Sequence, residues 1–247
     1  MSDPSYHETA DGRRIAYHKT EGKGPGVIFL GGFKSDMEGT KAIALEDWAK
    51  AQGRAFLRFD YSGHGESSGE FTDGCISDWA ADARSVIEAV TDGPQVFVGS
   101  SMGGWIAAIL SREIRERFAG FVGIAAAPDF TEDSMWRDFS DFERAKLNRD
   151  GLVLLPSDYG DPYPITKKLI TDGRDQLVLR RPLPMKFPVR LLQGTADADV
   201  ERDVALNLLD HIEGDDVRLT FVKGADHRFS DPACLALVKR TVEEVLA

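Results

Sequence analysis

Cysteine is scarce in this chain. Cys75 and Cys234 are the two in 247 residues, and they stand far apart with no CxxC or His-paired spacing. That excludes a disulfide framework and a thiolate metal site, and leaves two ordinary thiols suited to a reducing compartment. Positive charge is also short, since 30 Lys and Arg face 41 Asp and Glu. The net charge of -11 and a pI near 5.0 argue against a nucleic-acid or polyanion surface, which needs clustered Lys and Arg. No apolar run approaches the length that spans a bilayer. The start, Met1-Ser2-Asp3-Pro4-Ser5, has no basic segment and no apolar h-region, so a cytoplasmic protein without a secretory signal is expected. No linker, low-complexity tract or repeat divides the chain, whose length suits one α/β domain.

What is present alternates between two periods. Tyr6 to Thr9 and Arg13 to Thr20 flank Asp11-Gly12, a hairpin signal. Val27 to Leu30, Ala55 to Phe59, Gln95 to Val98, Ala119 to Ala125, Val189 to Leu192 and Val217 to Val222 are short apolar runs of buried-strand type. Between them lie helical patterns at 37–53, 76–90, 105–114 and 200–212, and 235–246 closes the chain. The alternation predicts right-handed βαβ units and a mostly parallel, eight-stranded sheet whose edge carries the opening hairpin. Residues 129–187 break the rhythm, being far longer than a crossover needs. Two helices are expected there, at 131–148 and 165–178, and the apolar residues of the segment include Met135, Trp136, Phe139, Phe142, Leu152 to Leu155, Tyr159 and Tyr163. The segment reads as a cap inserted between core parts 1–128 and 188–247.

The chemistry concentrates at Gly99-Ser100-Ser101-Met102-Gly103, a G-x-S-x-G placed between a strand and a helix. Such a turn strains the central residue and projects its hydroxyl, and side chains two residues either side would collide. Gly99 and Gly103 meet that demand for Ser101. A serine hydroxyl needs a base, and the base needs an orienting acid; in this arrangement they follow in the order Ser, acid, His. His227, just after the last strand, is the expected base, whereas His211 lies late in a helical pattern and is read as a surface residue. The loop Gly194 to Val200 offers Asp197 in its turn and Asp199 at the expected helix N-cap, and Asp197 is preferred. Asp129, after the preceding strand, is a third candidate. Oxyanion donors are expected from the Met102 N–H and, after Gly31-Gly32, the Phe33 N–H. No metal or organic cofactor is required.

At this point the chain resembles the α/β-hydrolase superfamily over nearly its whole length. Phe59-Asp60-Tyr61-Ser62-Gly63-His64-Gly65-Glu66-Ser67 is similar to a loop common there, which implies a structural role for His64. The stretches Gly99 to Trp105, Leu155-Pro156-Ser157-Asp158-Tyr159, Pro188 to Leu192 and Asp226-His227-Arg228 resemble the branch of the mitochondrial palmitoyl-protein thioesterase and acyl-glucuronide esterase. Two departures stand out: Gly31 and Gln193 occupy places where many relatives carry histidine. The targeting extension of the mitochondrial member is not seen, so its location is not carried over.

The expectation is a serine hydrolase of carboxylic esters or thioesters, acting on a small-molecule acyl substrate or an S-acylated protein through an acyl-serine. Carbon–carbon bond hydrolysis of meta-cleavage type uses the same residues and is the enzymatic alternative; a non-catalytic binding protein on the same scaffold is the alternative of another class. Lys167, Lys168, Arg174, Arg180 and Arg181 in the cap are candidates to meet an anionic substrate.

Overall fold

The apolar runs become the middle of a twisted sheet, and the helical stripes cover both its faces. In the computed structural model, residues 3–156 and 162–247 are described. The chain begins with β1 (Ser5–Glu8), β2 (Arg14–Thr20), β3 (Lys23–Leu30), α1 (Thr40–Ala51) and β4 (Arg54–Phe59). It continues through α2 (Ile76–Val90), β5 (Gln95–Ser100), α3 (Met102–Glu113) and β6 (Phe118–Ile124). After residues 129–187 come β10 (Val189–Gly194), α6 (Arg202–His211), the two-residue β11 (Ile212–Glu213), β12 (Val217–Val222) and α7 (Pro232–Leu246). The intervening segment holds a π-helical turn (Thr131–Trp136), α4 (Asp141–Asp150), β7 (Leu152–Leu155), β8 (Tyr163–Thr166), α5 (Lys167–Asp175) and the short β9 (Leu183–Pro184).

The main sheet has eight strands in the order β1-β2-β4-β3-β5-β6-β10-β12. β1 and β2 are antiparallel additions at one edge, and the other pairings are parallel. The chain moves outward from β3 to β4, then returns to place β5 on the other side of β3. Strand order therefore reverses between β3 and β5, and the crevice at the carboxyl ends of those two strands is where open α/β sheets bind ligands. Residues 31–33 and Ser101 follow those two strand ends.

Each face has its own core. Ala42, Leu45 and Trp48 of α1 join Val238, Val242 and Val245 of α7 against one side. Trp79, Ala83 and Val86 of α2, Ile106 and Leu110 of α3 and Leu208 of α6 fill the other. Full burial of side chains of this size stabilises by about 1.5–3 kcal/mol each relative to exposure, which is why the period-3.6 stripes locate these helices so well. α7 starts where it does because Asp231 accepts the Ala233 and Cys234 amides with Pro232 in the first turn. Among the described residues no helix is long and apolar enough to cross a membrane.

Residues 129–187 depart from the two expected helices. Ser140 interrupts the first: its hydroxyl accepts the Glu143 amide and the Glu143 carboxylate accepts the Ser140 amide, a capping box that starts α4 afresh. The second helix begins at Lys167, because Tyr163–Thr166 pairs antiparallel with Leu152–Leu155 instead. A short apolar run does not distinguish a strand from a helical segment by periodicity, and the pairing decided it. Ser157, Asp158 and Tyr159 of the resemblance motif lie outside the described residues.

Candidate active site

Ser101 sits at φ +53° and ψ -118°, a left-handed region unfavourable for a residue with a Cβ. Three backbone bonds hold it there. Its N–H donates to the Ile124 carbonyl at 2.9 Å, and its carbonyl accepts the Gly104 and Ala127 amides at 2.9 and 3.1 Å. The expected glycine demand is met in full. A Cβ on Gly99 would lie 2.5 Å from the Gly103 carbonyl oxygen, and one on Gly103 only 2.1 Å from the Leu30 oxygen. Met102 opens α3, so its N–H has no carbonyl behind it within the helix and points with the positive end of the helix dipole.

The loops after β10 and β12 are tied together by backbone bonds from Thr195 N–H to the Val222 carbonyl (2.9 Å) and from Ala196 N–H to the Ala225 carbonyl (3.0 Å). This brings Asp197 and His227 into contact, with Asp197 Oδ2 accepting from His227 Nδ1 at 3.0 Å. The Asp197 side chain is fully buried. Its Oδ2 also accepts from Gln193 Nε2 (2.9 Å), while Oδ1 accepts the Asp199 and Val200 amides at 2.9 and 2.8 Å. Burial pushes this carboxyl up, but the hydrogen bond and charge of His227 and the two amides outweigh it and hold the group below the usual carboxylate range. An ionised Asp197 can only accept, so Nδ1 carries the imidazole proton and Nε2 keeps its lone pair.

Ser101 and His227 line one cavity of about 720 Å³. Among the described residues the Ser101 hydroxyl makes no hydrogen bond; catalytic contacts of this kind are often loose without substrate. Its apolar lining includes Phe33, Phe130, Met135, Leu155 and Tyr163. Its polar lining includes Lys34, Lys41, Asp199 and Arg228, with Lys34 Nζ 5.5 Å from the Tyr163 ring centre. Gly32 lies against the serine, since a Cβ there would be 3.5 Å from Ser101 Cβ, so the residue before Phe33 touches the elbow.

The other sequence candidates fall elsewhere. Asp199 is not a helix cap, because α6 begins at Arg202 behind Glu201. It lines the cavity, and its amide serves Asp197. Asp129 is wholly buried and accepts the Val178 and Leu179 amides at 2.7 and 2.9 Å, which ties the late part of the inserted segment back to its first residue. His211 is half-buried at the end of α6, where its Nδ1 lies 2.7 Å from the Asn207 carbonyl, and it does not line the cavity. Lys167, Lys168, Arg174, Arg180 and Arg181 do not gather at the cavity: Lys168 pairs with Asp78, Arg174 with Glu132 and Arg180 with Asp133, and none of the five lines it. In the sequence Gln193 stands out only as a departure from the resemblance; its donation to Asp197 depends on the loop fold, which no local pattern announces. Asp197, Asp199 and His227 have ligand-type atoms within 4.8 Å of one another. Asp197 has spent its lone pairs on four donors, however, and has none to offer a cation.

A strained serine at the switch point of a doubly wound sheet, sharing a cavity with a histidine from the last strand's loop, is the architecture of an α/β hydrolase. The chain belongs to the Alpha/beta hydrolase family, whose model matches residues 27–241. It is 32% identical over 244 residues to the Homo sapiens protein named palmitoyl-protein thioesterase ABHD10, mitochondrial, covering 98% of this chain and 79% of that protein. A crystal structure of a putative hydrolase from Agrobacterium vitis S4 superposes with a TM-score of 0.94 at 38% identity, covering all of both chains. The alpha/beta hydrolase domain-containing protein 10 from mouse does so with a TM-score of 0.91 at 32% identity, covering 99% of this chain and 98% of that one. These relatives correct one expectation. The curated ones are named as mitochondrial proteins, so the expected cytoplasmic location is not supported. Two buried free thiols fit any reducing compartment and could not tell the two apart.

Proposed function

We propose that the protein is a serine hydrolase of acyl thioesters and carboxylic esters, with Ser101 as nucleophile, His227 as general base and Asp197 as its orienting acid. The observation that carries this is the strained Ser101 sharing one cavity with a His227 whose tautomer is set by a buried Asp197. Ser101 Oγ attacks the acyl carbonyl while Nε2 of His227 takes its proton. The oxyanion forms against the Met102 and Phe33 amides, each worth about 10²–10³ in rate. Collapse expels the thiolate or alkoxide, protonated by the imidazolium, and leaves an acyl-serine that water cleaves by the same route in reverse.

Residues 129–187 act as a cap between core parts 1–128 and 188–247. The supporting observation is that Phe130, Met135, Leu155 and Tyr163 from it line the cavity, apolar surface suited to an acyl chain. The names of the curated relatives favour an S-acylated cysteine as substrate over a simple alkyl ester.

Intact-mass analysis after exposure to a fluorophosphonate tests the assignment, with Ser101→Ala alongside. One adduct on the wild type and none on S101A is expected, followed by a higher kcat/KM for an S-acyl thioester than for the matching ester. A folded wild-type protein that takes no adduct would refute the reading and favour a binding protein on this scaffold.

A further inference from the structure

The loop after β3 carries the Phe33 amide in a turn closed by the Ser35 amide and hydroxyl on the Gly32 carbonyl (3.2 and 2.9 Å), with Lys34 at φ +55°. That turn is itself anchored from outside. Three bonds come from the loop that follows β4. Tyr61 Oη donates to the Gly31 carbonyl (3.3 Å), the Lys34 amide donates to His64 Nε2 (3.2 Å), and the Met37 amide donates to Asp60 Oδ1 (2.6 Å). The middle bond falls on the residue next to Phe33.

The imidazole of His64 has one protonation pattern that fits. Nδ1 lies 3.1 Å from the Ser62 carbonyl, which can only accept and also takes the Trp79 indole N–H at 3.1 Å. Nδ1 therefore carries the hydrogen, and Nε2 presents a lone pair to the Lys34 N–H. An imidazolium would oppose a donor to a donor. Burial holds His64 below the ordinary histidine range, against the opposing pull of the Ser62 carbonyl and Asp82. The ring packs edge-on against Tyr61, Phe71 and Trp79, and Phe33 rests on the same Phe71 and Trp79.

We propose that His64 is a positioning residue of the oxyanion hole: its neutral imidazole accepts the Lys34 N–H, holds Lys34 in its strained conformation and so aims the Phe33 amide at the oxyanion. This rests on the reading above that Phe33 and Met102 stabilise the oxyanion, and it gives His64 a part in the rate that packing alone does not require.

The test compares His64→Asn, His64→Leu and His64→Gln in the full chain. A glutamine Oε1 reaches the place of Nε2 and can accept; asparagine reaches only the place of Nδ1, and leucine accepts nothing. Each folded Asn or Leu variant is expected to lose about 10- to 100-fold in kcat and in the rate of fluorophosphonate labelling, with KM within about threefold, because a misaimed donor forfeits part of what its removal costs. H64Q is expected to recover most of that loss. Lys34→Gly in the H64N background should recover part of it, since glycine takes φ +55° without strain. H64L keeps the apolar packing and reads the same acceptor loss if H64N folds poorly. A folded H64N or H64L that labels and turns over like wild type overturns the proposal. So does H64Q failing as badly as H64N, which would reduce the residue to packing. A wild-type protein that takes no label overturns the serine-hydrolase reading itself, a distinguishable result.

Discussion

Replacing Asp197 by asparagine isolates the acid's role with little disturbance of shape. Oδ1 accepts the Asp199 and Val200 amides, and the asparagine carbonyl must stay there to keep both. Its amide nitrogen then takes the place of Oδ2, where it meets two donors, Gln193 Nε2 and His227 Nδ1. Gln193 can flip its amide and offer Oε1, which in the wild type is buried without a partner. His227 can answer only by moving its hydrogen to Nε2, the nitrogen that should take the serine's proton. The base is then present in the wrong tautomer. In serine proteases the same change costs about 10⁴ in kcat, or roughly 5.5 kcal/mol of barrier, and a similar loss is expected here. Melting should change little, because the backbone donors remain satisfied. The assay is steady-state hydrolysis of an activated ester, with S101A as floor and Asp199→Asn as control, the latter expected within about threefold of wild type on the tautomer argument. D197N retaining more than a tenth of wild-type kcat, or D199N failing as D197N should, would refute the assignment.

Gly103→Ala should destabilise by about 1–3 kcal/mol in urea unfolding and slow Ser101 labelling, because the new Cβ meets the fixed Leu30 carbonyl. Helix propensity alone predicts a gain of about 1 kcal/mol, so a stabilised G103A would overturn the elbow geometry. Gln193→Leu removes the donor to Asp197 Oδ2, and kcat should fall about three- to tenfold as that bond, typically 1.5–3 kcal/mol to a charged group, is offset by loss of the orphaned Oε1. An undiminished kcat would mean that the two amides and His227 suffice to hold the acid. Burial, then the Arg228 charge, lowers the Lys41 ammonium to about 8. Native protein then binds fewer protons than unfolded chain between about pH 8 and 10.4, so this group's contribution to stability rises with pH across that window. The stability of wild type relative to Lys41→Met, read from urea midpoints, should therefore increase from pH 8 to 10; a flat or falling difference would contradict the buried ammonium.

Much of the candidate site was readable where its geometry depends on near neighbours in the chain. The G-x-S-x-G turn works within five residues, so its glycines and serine declare themselves, and Asp197 and His227 follow from the order of loops at strand ends. The inserted segment was readable only as an insertion. Its helix boundaries moved because Leu152–Leu155 found Tyr163–Thr166, and its cations turned to Asp78, Glu132 and Asp133 rather than to the cavity. Asp199 lost its expected cap because the helix starts later, at Arg202.

By itself the sequence determined the strands of the main sheet, the stripes that cover them, the parallel order implied by their alternation, and the residue types able to do acyl transfer. These follow from short-range periodicity and from backbone strain, which act over a few residues. Tertiary structure alone decided which buried polar groups met. Gln193 reached Asp197 across a loop, His64 reached the Lys34 amide thirty positions away, and Asp129 closed the inserted segment. A hydrogen-bond partner far along the chain leaves no period in the sequence, because what brings it near is the burial of the whole sheet.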